Sequence, residues 1–235
     1  EEQELTVADR GCAGVFYSVT DDGRVGGRVS DAEGRAVAGV TVTLVEADDP
    51  DPERHYASYA TTGEDGRYDF RGLPPGRYLL AVNLNRYPRP DDPTNAYPRT
   101  YYPGVAEASQ AEAVTVGAGE RAKDRDITLP ARRAESVVKG VVVWDDGSPV
   151  AGAYISIRDL TYHDPGNDSG VAPADAQGRF TLKGYQGQVL LIRASSRRQF
   201  VGDYSRDGPM ERAEPARVTL AGPTEAVRIV ITKLR

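Results

Sequence analysis

Reactive side chains are scarce in these 235 residues, which hold one cysteine, one methionine, one tryptophan and two histidines. A lone Cys12 excludes an internal disulfide, so the fold must hold without one. His55 and His163, in RHYAS and YHDPG, head no H-x-x-E arrangement and have no third histidine to complete a zinc site. Both read as exposed loop residues, and no metal or other cofactor is implied. Nucleophilic catalysis is as poorly supplied: there is no G-x-S-x-G elbow, and Cys12 in the turn-like RGCAG reads as a small semi-buried residue. No apolar run reaches the roughly 18 residues that a membrane-spanning helix needs. The formal net charge is −6, without the basic footprint that displaces counterions from nucleic acid or holds an anionic bilayer. Neither nucleic acid nor membrane insertion is expected, and the first residues, EEQELTVADRG, do not read as a signal peptide.

What the chain does have is repetition. GRVSDAEGRAVAGVTVTL (Gly27 to Leu44) aligns with GVVVWDDGSPVAGAYISI (Gly140 to Ile157) through Gly27/Gly140, Gly34/Gly147 and Gly39/Gly152. EDGRYDFRGLPPGRYLLAV (Glu64 to Val82) aligns with AQGRFTLKGYQGQVLLIRA (Ala176 to Ala194) through Gly66/Gly178 and Gly72/Gly184, and one residue is lost where Gly76 meets Gly187. The copies close on EAVTVGAGERAKDRDITLP and ARVTLAGPTEAVRIVITKL. Two domains are therefore expected, 25–130 and 137–235, joined by a polar linker over 131–136. ELTVADRGCAGVFYSVT, within 1–24, resembles a closing hairpin. It either ends an earlier copy or adds strands carrying Val15, Tyr17 and Val19 to the first domain.

The pattern is nearly all β. VTVTL puts Val40, Val42 and Leu44 on one face and Thr41 and Thr43 on the other. Tyr68/Phe70 and Phe180/Leu182 alternate in the same way. YLLAV and VLLI are apolar on both faces, as in a central strand covered by a second sheet. Turn signals such as AEGR, DDGS, EDGR and AQGR separate the strands. At Pro75–Gly76 a type II-like turn is expected, with glycine accepting positive φ. Repeated short strands at this spacing predict tandem antiparallel β-sandwiches.

The marks G-x-V-x-D-x-x-G-x-x-V-x-G-V-x-V, T-x-x-D-G-x-Y-x-F and L-P-P-G-x-Y, running from Gly27 to Tyr78, resemble the carboxypeptidase regulatory-like domain. That resemblance implies a seven-stranded transthyretin-like (prealbumin-like, Ig-like Greek key) sandwich related to the Cna B-type repeat. The second copy keeps Gly140, Gly147, Val150, Gly152, Gly178, Phe180 and Gly187 but is degenerate, reading GYQGQV for GLPPGRY. The resemblance further implies an accessory module, without catalytic activity, of a secreted or cell-surface bacterial protein. Some Cna-type domains carry a Lys–Asn crosslink. Here the lysines are Lys123, Lys139, Lys183 and Lys233, no asparagine follows Asn167, and a Lys–Asp variant in the second copy is the form left open. Carboxylates cluster in DDPDPE and DDP, where they suit turns, and the D-x-D-x-D-G calcium spacing is missing.

One stretch has no counterpart in that pattern: NRYPRPDDPTNAYPRTYYPG, Asn85 to Gly104. Tyr87, Tyr97, Arg99, Tyr101 and Tyr102 combine aromatic faces with a guanidinium, the chemistry that stacks on sugars or extended peptides. The competing reading lays this loop over the open end of the sandwich or against the neighbouring domain, with tyrosines as its anchors. The expected function is a non-catalytic structural or assembly module whose partners are neighbouring β-sandwich domains or like chains, with edge strands as a route of association. The alternative is carbohydrate or peptide binding by the tyrosine loop.

Overall fold

A computed structural model describes residues 22–49, 58–84, 91–161, 169–170, 173–196 and 212–233. The N-terminal hairpin, Cys12, His55, Tyr87 and His163 lie outside the described residues.

Nine strands make the first half: β1 (Gly23–Ser30), β2 (Thr41–Glu46), β3 (Ser58–Thr61), β4 (Arg67–Leu73), β5 (Gly76–Val82), β6 (Thr100–Tyr101), β7 (Val114–Val116), β8 (Arg121–Ala122) and β9 (Ile127–Thr128). One sheet runs β4-β1-β8, with β9 also on β1; the other runs β3-β2-β5-β6, with β7 also on β5. Seven strands make the second half: β10 (Glu135–Trp144), β11 (Tyr154–Asp159), β12 (Ser169–Gly170), β13 (Arg179–Tyr185), β14 (Val189–Ser195), β15 (Ala216–Thr219) and β16 (Thr224–Ile231). Its sheets run β13-β10-β16 and β12-β11-β14-β15, the order of the first half without β6. The closing strands depart from the antiparallel scheme: β8 and β9 run parallel to β1, and β16 runs parallel to β10.

Period-two alternation fills the space between the sheets. Val25, Val29, Val42, Leu80 and Ile127 are fully buried in the first half, and Val142, Ile155, Leu190, Ile192 and Ile231 in the second. Each such side chain contributes roughly 1.5–3 kcal/mol relative to exposure. Tyr68 and Phe70 meet edge to face at 5.9 Å.

The repeated glycines have local causes. Gly66 and Gly178 sit at φ +76° and +71°, and their carbonyls accept from the N–H groups of Val29 and Val142 at 2.8 and 2.7 Å. A Cβ at either would collide with the Val29 or Val142 carbonyl, at 2.5 and 2.2 Å. The acidic turns are equally local. In DAEGR and DAQGR the Oδ1 of Asp31 and of Asp175 accepts two backbone N–H groups, and Oδ2 accepts from the Nε of Arg35 or Arg179. These bonds hold both carboxyls below their usual range.

Two expectations change. Gly76 is not in the positive-φ region; it opens β5, and the glycine of that stretch with φ of +67° is Gly72. Gly76 leaves room for the Tyr78 ring, 3.2 Å from where a Cβ would stand, and the Tyr78 hydroxyl donates to the Pro74 carbonyl at 2.7 Å. The second correction concerns cover. β5 is buried on both faces, but its outer face is not under a second sheet. Val45, Leu79, Ala81, Leu84 and Tyr101 form a separate cluster there, closed by Val105, Ala111 and Ala113 from the segment before β7. Thr43 is thereby fully buried as well.

Candidate functional site

The inserted segment supplies the most specific side-chain chemistry among the described residues. Its anchor is Asn83, at the end of β5, with φ of 58° and 5% exposure. A left-handed backbone is tolerated by asparagine better than by most residues, and it turns the amide into the loop. There Nδ2 donates to the carbonyls of Thr94 and Tyr97, both at 2.8 Å. Asp92 caps the 3₁₀ turn Pro93–Ala96, its Oδ1 accepting from the Thr94 N–H at 2.9 Å. Proline at the first position of that turn sacrifices no hydrogen bond.

The predicted ligand residues are dispersed by this arrangement. Tyr97 is buried in the first core, and Tyr101 in the outer cluster, 2% exposed. Tyr101 also exchanges backbone hydrogen bonds with Val105 at 2.7 and 2.9 Å. Tyr102 is half-buried against the first core and Arg99 is half-buried. The structure does not gather Tyr97, Arg99, Tyr101 and Tyr102 into one aromatic platform. What an incoming ligand could meet here is Tyr102 and Arg99.

The loop instead meets the linker. The Arg133 N–H donates to the Ala96 carbonyl at 2.7 Å, and the Arg132 guanidinium lies 5.7 Å from the Tyr97 ring centre. The same 3₁₀ turn lies against β13 of the second half. Two features of the insertion, the backbone of its turn and the ring of Tyr97, thus form a joint between the halves. Pattern reading missed Asn83, Arg132 and Arg133; the positive φ and the cross-linker contacts leave no periodic trace.

Two open grooves were also not foreseen. One, of ≈ 630 Å³, is lined by Gly26, Tyr59, Arg67, Asp69, Lys123 and Asp124. The other, of ≈ 810 Å³, lies on the sheet of the second half among Lys139, Val141, Arg179, Thr181, Ala226 and Arg228. Tyr59 is 51% exposed, an aromatic that simple alternation along SYAT would have placed outward. Among the described residues no three His, Cys, Asp or Glu side chains converge on a metal-sized site.

Lys233 and Asp146 approach to 2.6 Å, with Lys233 also 5.5 Å from the Trp144 ring centre. Both charges are about half exposed. Lys233 and then Ser148 hold the Asp146 carboxyl well below the usual range, so the contact is a surface ion pair.

Residues 24–130 match the family model of the carboxypeptidase regulatory-like domain. Among curated proteins nothing matches the chain. Among solved structures, a Streptococcal ancillary pilin is 14% identical with a TM-score of 0.48, the alignment covering 92% of this chain and 64% of that one. The minor pilin GBS52 of Streptococcus agalactiae is 12% identical with a TM-score of 0.41, covering 90% and 96%. The Bacillus anthracis TIE protein is 13% identical with a TM-score of 0.32; 91% of this chain spans only 34% of its length. No helix among the described residues is long and apolar enough to cross a membrane.

Proposed function

We propose that the chain, whose residues 24–130 match the family model of the carboxypeptidase regulatory-like domain, is a non-catalytic two-domain spacer within a larger secreted or cell-surface bacterial protein. On this reading residues 137–235 are a second, diverged copy. Its strand order, its Gly178 turn and its Asp175 motif, each matching the first half, support that. The observation that carries the proposal is the joint. A flexible linker would make no fixed contacts with the domain before it, whereas Arg132 and Arg133 both engage its inserted loop. A long loop is costly to order, and here it is ordered by a buried amide, a capped turn and two buried rings.

The partners of such a spacer are neighbouring domains. Its task is to hold them at a fixed separation. The test is intramolecular distance by pulsed electron spin resonance, with labels at Glu64→Cys and Arg217→Cys in a Cys12→Ser chain. Both labelled positions are exposed. A single narrow distance is expected, broadening when Arg132→Ala is added. A broad distribution in the parent chain, of the kind a free linker produces, would refute the spacer.

A further inference from the structure

Sheet edges are where β proteins defend themselves against unwanted pairing, and most edges here are defended. β4 carries Arg67, Asp69 and Arg71 on its outer face, and its pairing with β1 slips register at Gly23/Arg24. β13 carries Arg179 and Lys183. β3 and β15 have four residues each, and β12 only two. The closing strand of the first half is broken into β8 and β9, with Lys123–Asp126 looped between them and Asp126 accepting from the Arg28 N–H at 2.8 Å. Short, charged or interrupted edges are the usual means of blocking strand addition.

β16 is the least protected, neither short nor interrupted and with Arg228 as its one outward charge. It occupies the position of β8 and β9 but runs eight residues without interruption, in register with β10 from Val137↔Thr224 to Trp144↔Ile231. The Pro223 and Ile231 carbonyls accept from the N–H groups of Val137 and Asp145, both at 3.0 Å. In a parallel ladder a residue turns its N–H and C=O to the same side, so Thr224, Ala226 and Arg228 turn theirs away from β10. Among the described residues no strand pairs with that side, and only the far end is touched, by a bridge between Ala213 and Ile231. Beside this edge Val230 is 41% exposed.

We infer that the outer edge of β16 is an interface at which a second copy of this chain adds its own β16, antiparallel, across a two-fold axis at Ala226. Charge selects this occupant. Centring the axis on Ala226 pairs all three outward peptide groups, sets Arg228 opposite Thr224 and brings the small Ala226 against itself, so no like charges stand directly opposed. Glu225 projects to the other face and its Oε1 accepts from Gly222 N–H at 2.9 Å. The product is a continuous sheet β13-β10-β16 extended through its symmetry mate, an isologous closure that makes a dimer and stops. The inference deepens the spacer reading, adding lateral pairing to a rod, and rests on it for context only.

Ala226 is exposed, beside Lys139 at the open groove of this sheet, where a longer side chain has room, which makes it the position to test. Sedimentation velocity of the full chain from about 1 μM to about 1 mM is expected to show a concentration-dependent dimer. Ala226→Lys and Ala226→Glu, each placing like charges across the axis, should each be monomeric, and their mixture should dimerise again. In a Cys12→Ser chain, Ala226→Cys should oxidise to a covalent dimer, since directly paired antiparallel residues stand at Cα separations of about 5.5 Å. Lys183→Cys, on the opposite edge of the same sheet, should not. A chain monomeric throughout, a dimer indifferent to Ala226→Lys, or equal crosslinking at both cysteines would overturn the inference. The intramolecular label distance is read on dilute monomer, so spacer and dimer can fail separately.

Discussion

Tyr68 and Phe180 face matching glycines, Gly27 and Gly140, yet the two rings solve different packing problems. The Phe180 ring lies on Gly140 itself, 2.0 Å from where a Cβ would stand. Gly27 is crowded from elsewhere, by the Arg125 backbone at 2.2 Å. The Tyr68 hydroxyl donates to that same Arg125 carbonyl, so the phenol pins the loop that interrupts the closing strand. Burial, then Asp126, raises the Tyr68 pKa. A raised phenol keeps its proton in the fold while the unfolded chain releases it above about pH 10, so stability falls as pH rises beyond that value. Tyr68→Phe is expected to cost about 1 kcal/mol at pH 8, the net worth of a hydrogen bond. The deficit should shrink in urea melts at about pH 11, because the variant lacks this titration. A constant deficit at both pH values would show that the hydroxyl is not what titrates.

At the level of elements, Asn83 decides whether the inserted segment covers β5. Asn83→Gly keeps the left-handed backbone and loses both amide hydrogen bonds; Asn83→Ala loses the bonds and strains the backbone too. The alanine variant is expected to be the less stable, by roughly 1 kcal/mol beyond the glycine variant. In both, hydrogen exchange at Tyr101 and Val105 should accelerate before exchange in β2 or β4 does. Uniform acceleration across the first half would mean that the segment is not a separable cover. The strands themselves were legible in the sequence, since alternation marks an inward face, and the Gly66 and Gly178 turns recur in it. The outer cluster was not, because Leu79 and Ala81 give no sign of what lies over them, and the covering residues Val105, Ala111 and Ala113 are scattered through an aperiodic stretch. Gly76 was misread for a related reason. Its smallness serves a ring two residues on, while the L-P-P-G run looks like a turn. The candidate tyrosines were visible as a group, and anchoring the loop against the neighbouring domain was one of their two readings, but the partner of Tyr97 was not legible. Tyr97 answers to Arg132 across the linker, a pairing without a local signature. The unbroken β16, by contrast, can be read once compared with AKDRD in the first half, whose four consecutive charges leave no apolar residue to face inward.

Across the whole molecule, the two cores share no residue. Cooperative unfolding of the pair would have to be transmitted through the joint, where the described residues show a backbone hydrogen bond, a cation–π contact and the 3₁₀ turn against β13. Such contacts contribute about 1 kcal/mol each, against the 5–15 kcal/mol typical of a domain. The joint is thus strong enough to fix a direction and too weak to merge the unfolding of the halves. Calorimetry on dilute chain is accordingly expected to resolve two transitions. Arg132→Ala should lower the first-half transition by only a few degrees, in proportion to a loss near 1 kcal/mol, and leave the second in place. A single transition that persists in Arg132→Ala would mean that the halves bury far more against each other than the Tyr97–Arg132 and Ala96–Arg133 contacts provide. Stiffness without cooperativity is what a spacer needs, because local unfolding of one unit under load then spares its neighbour.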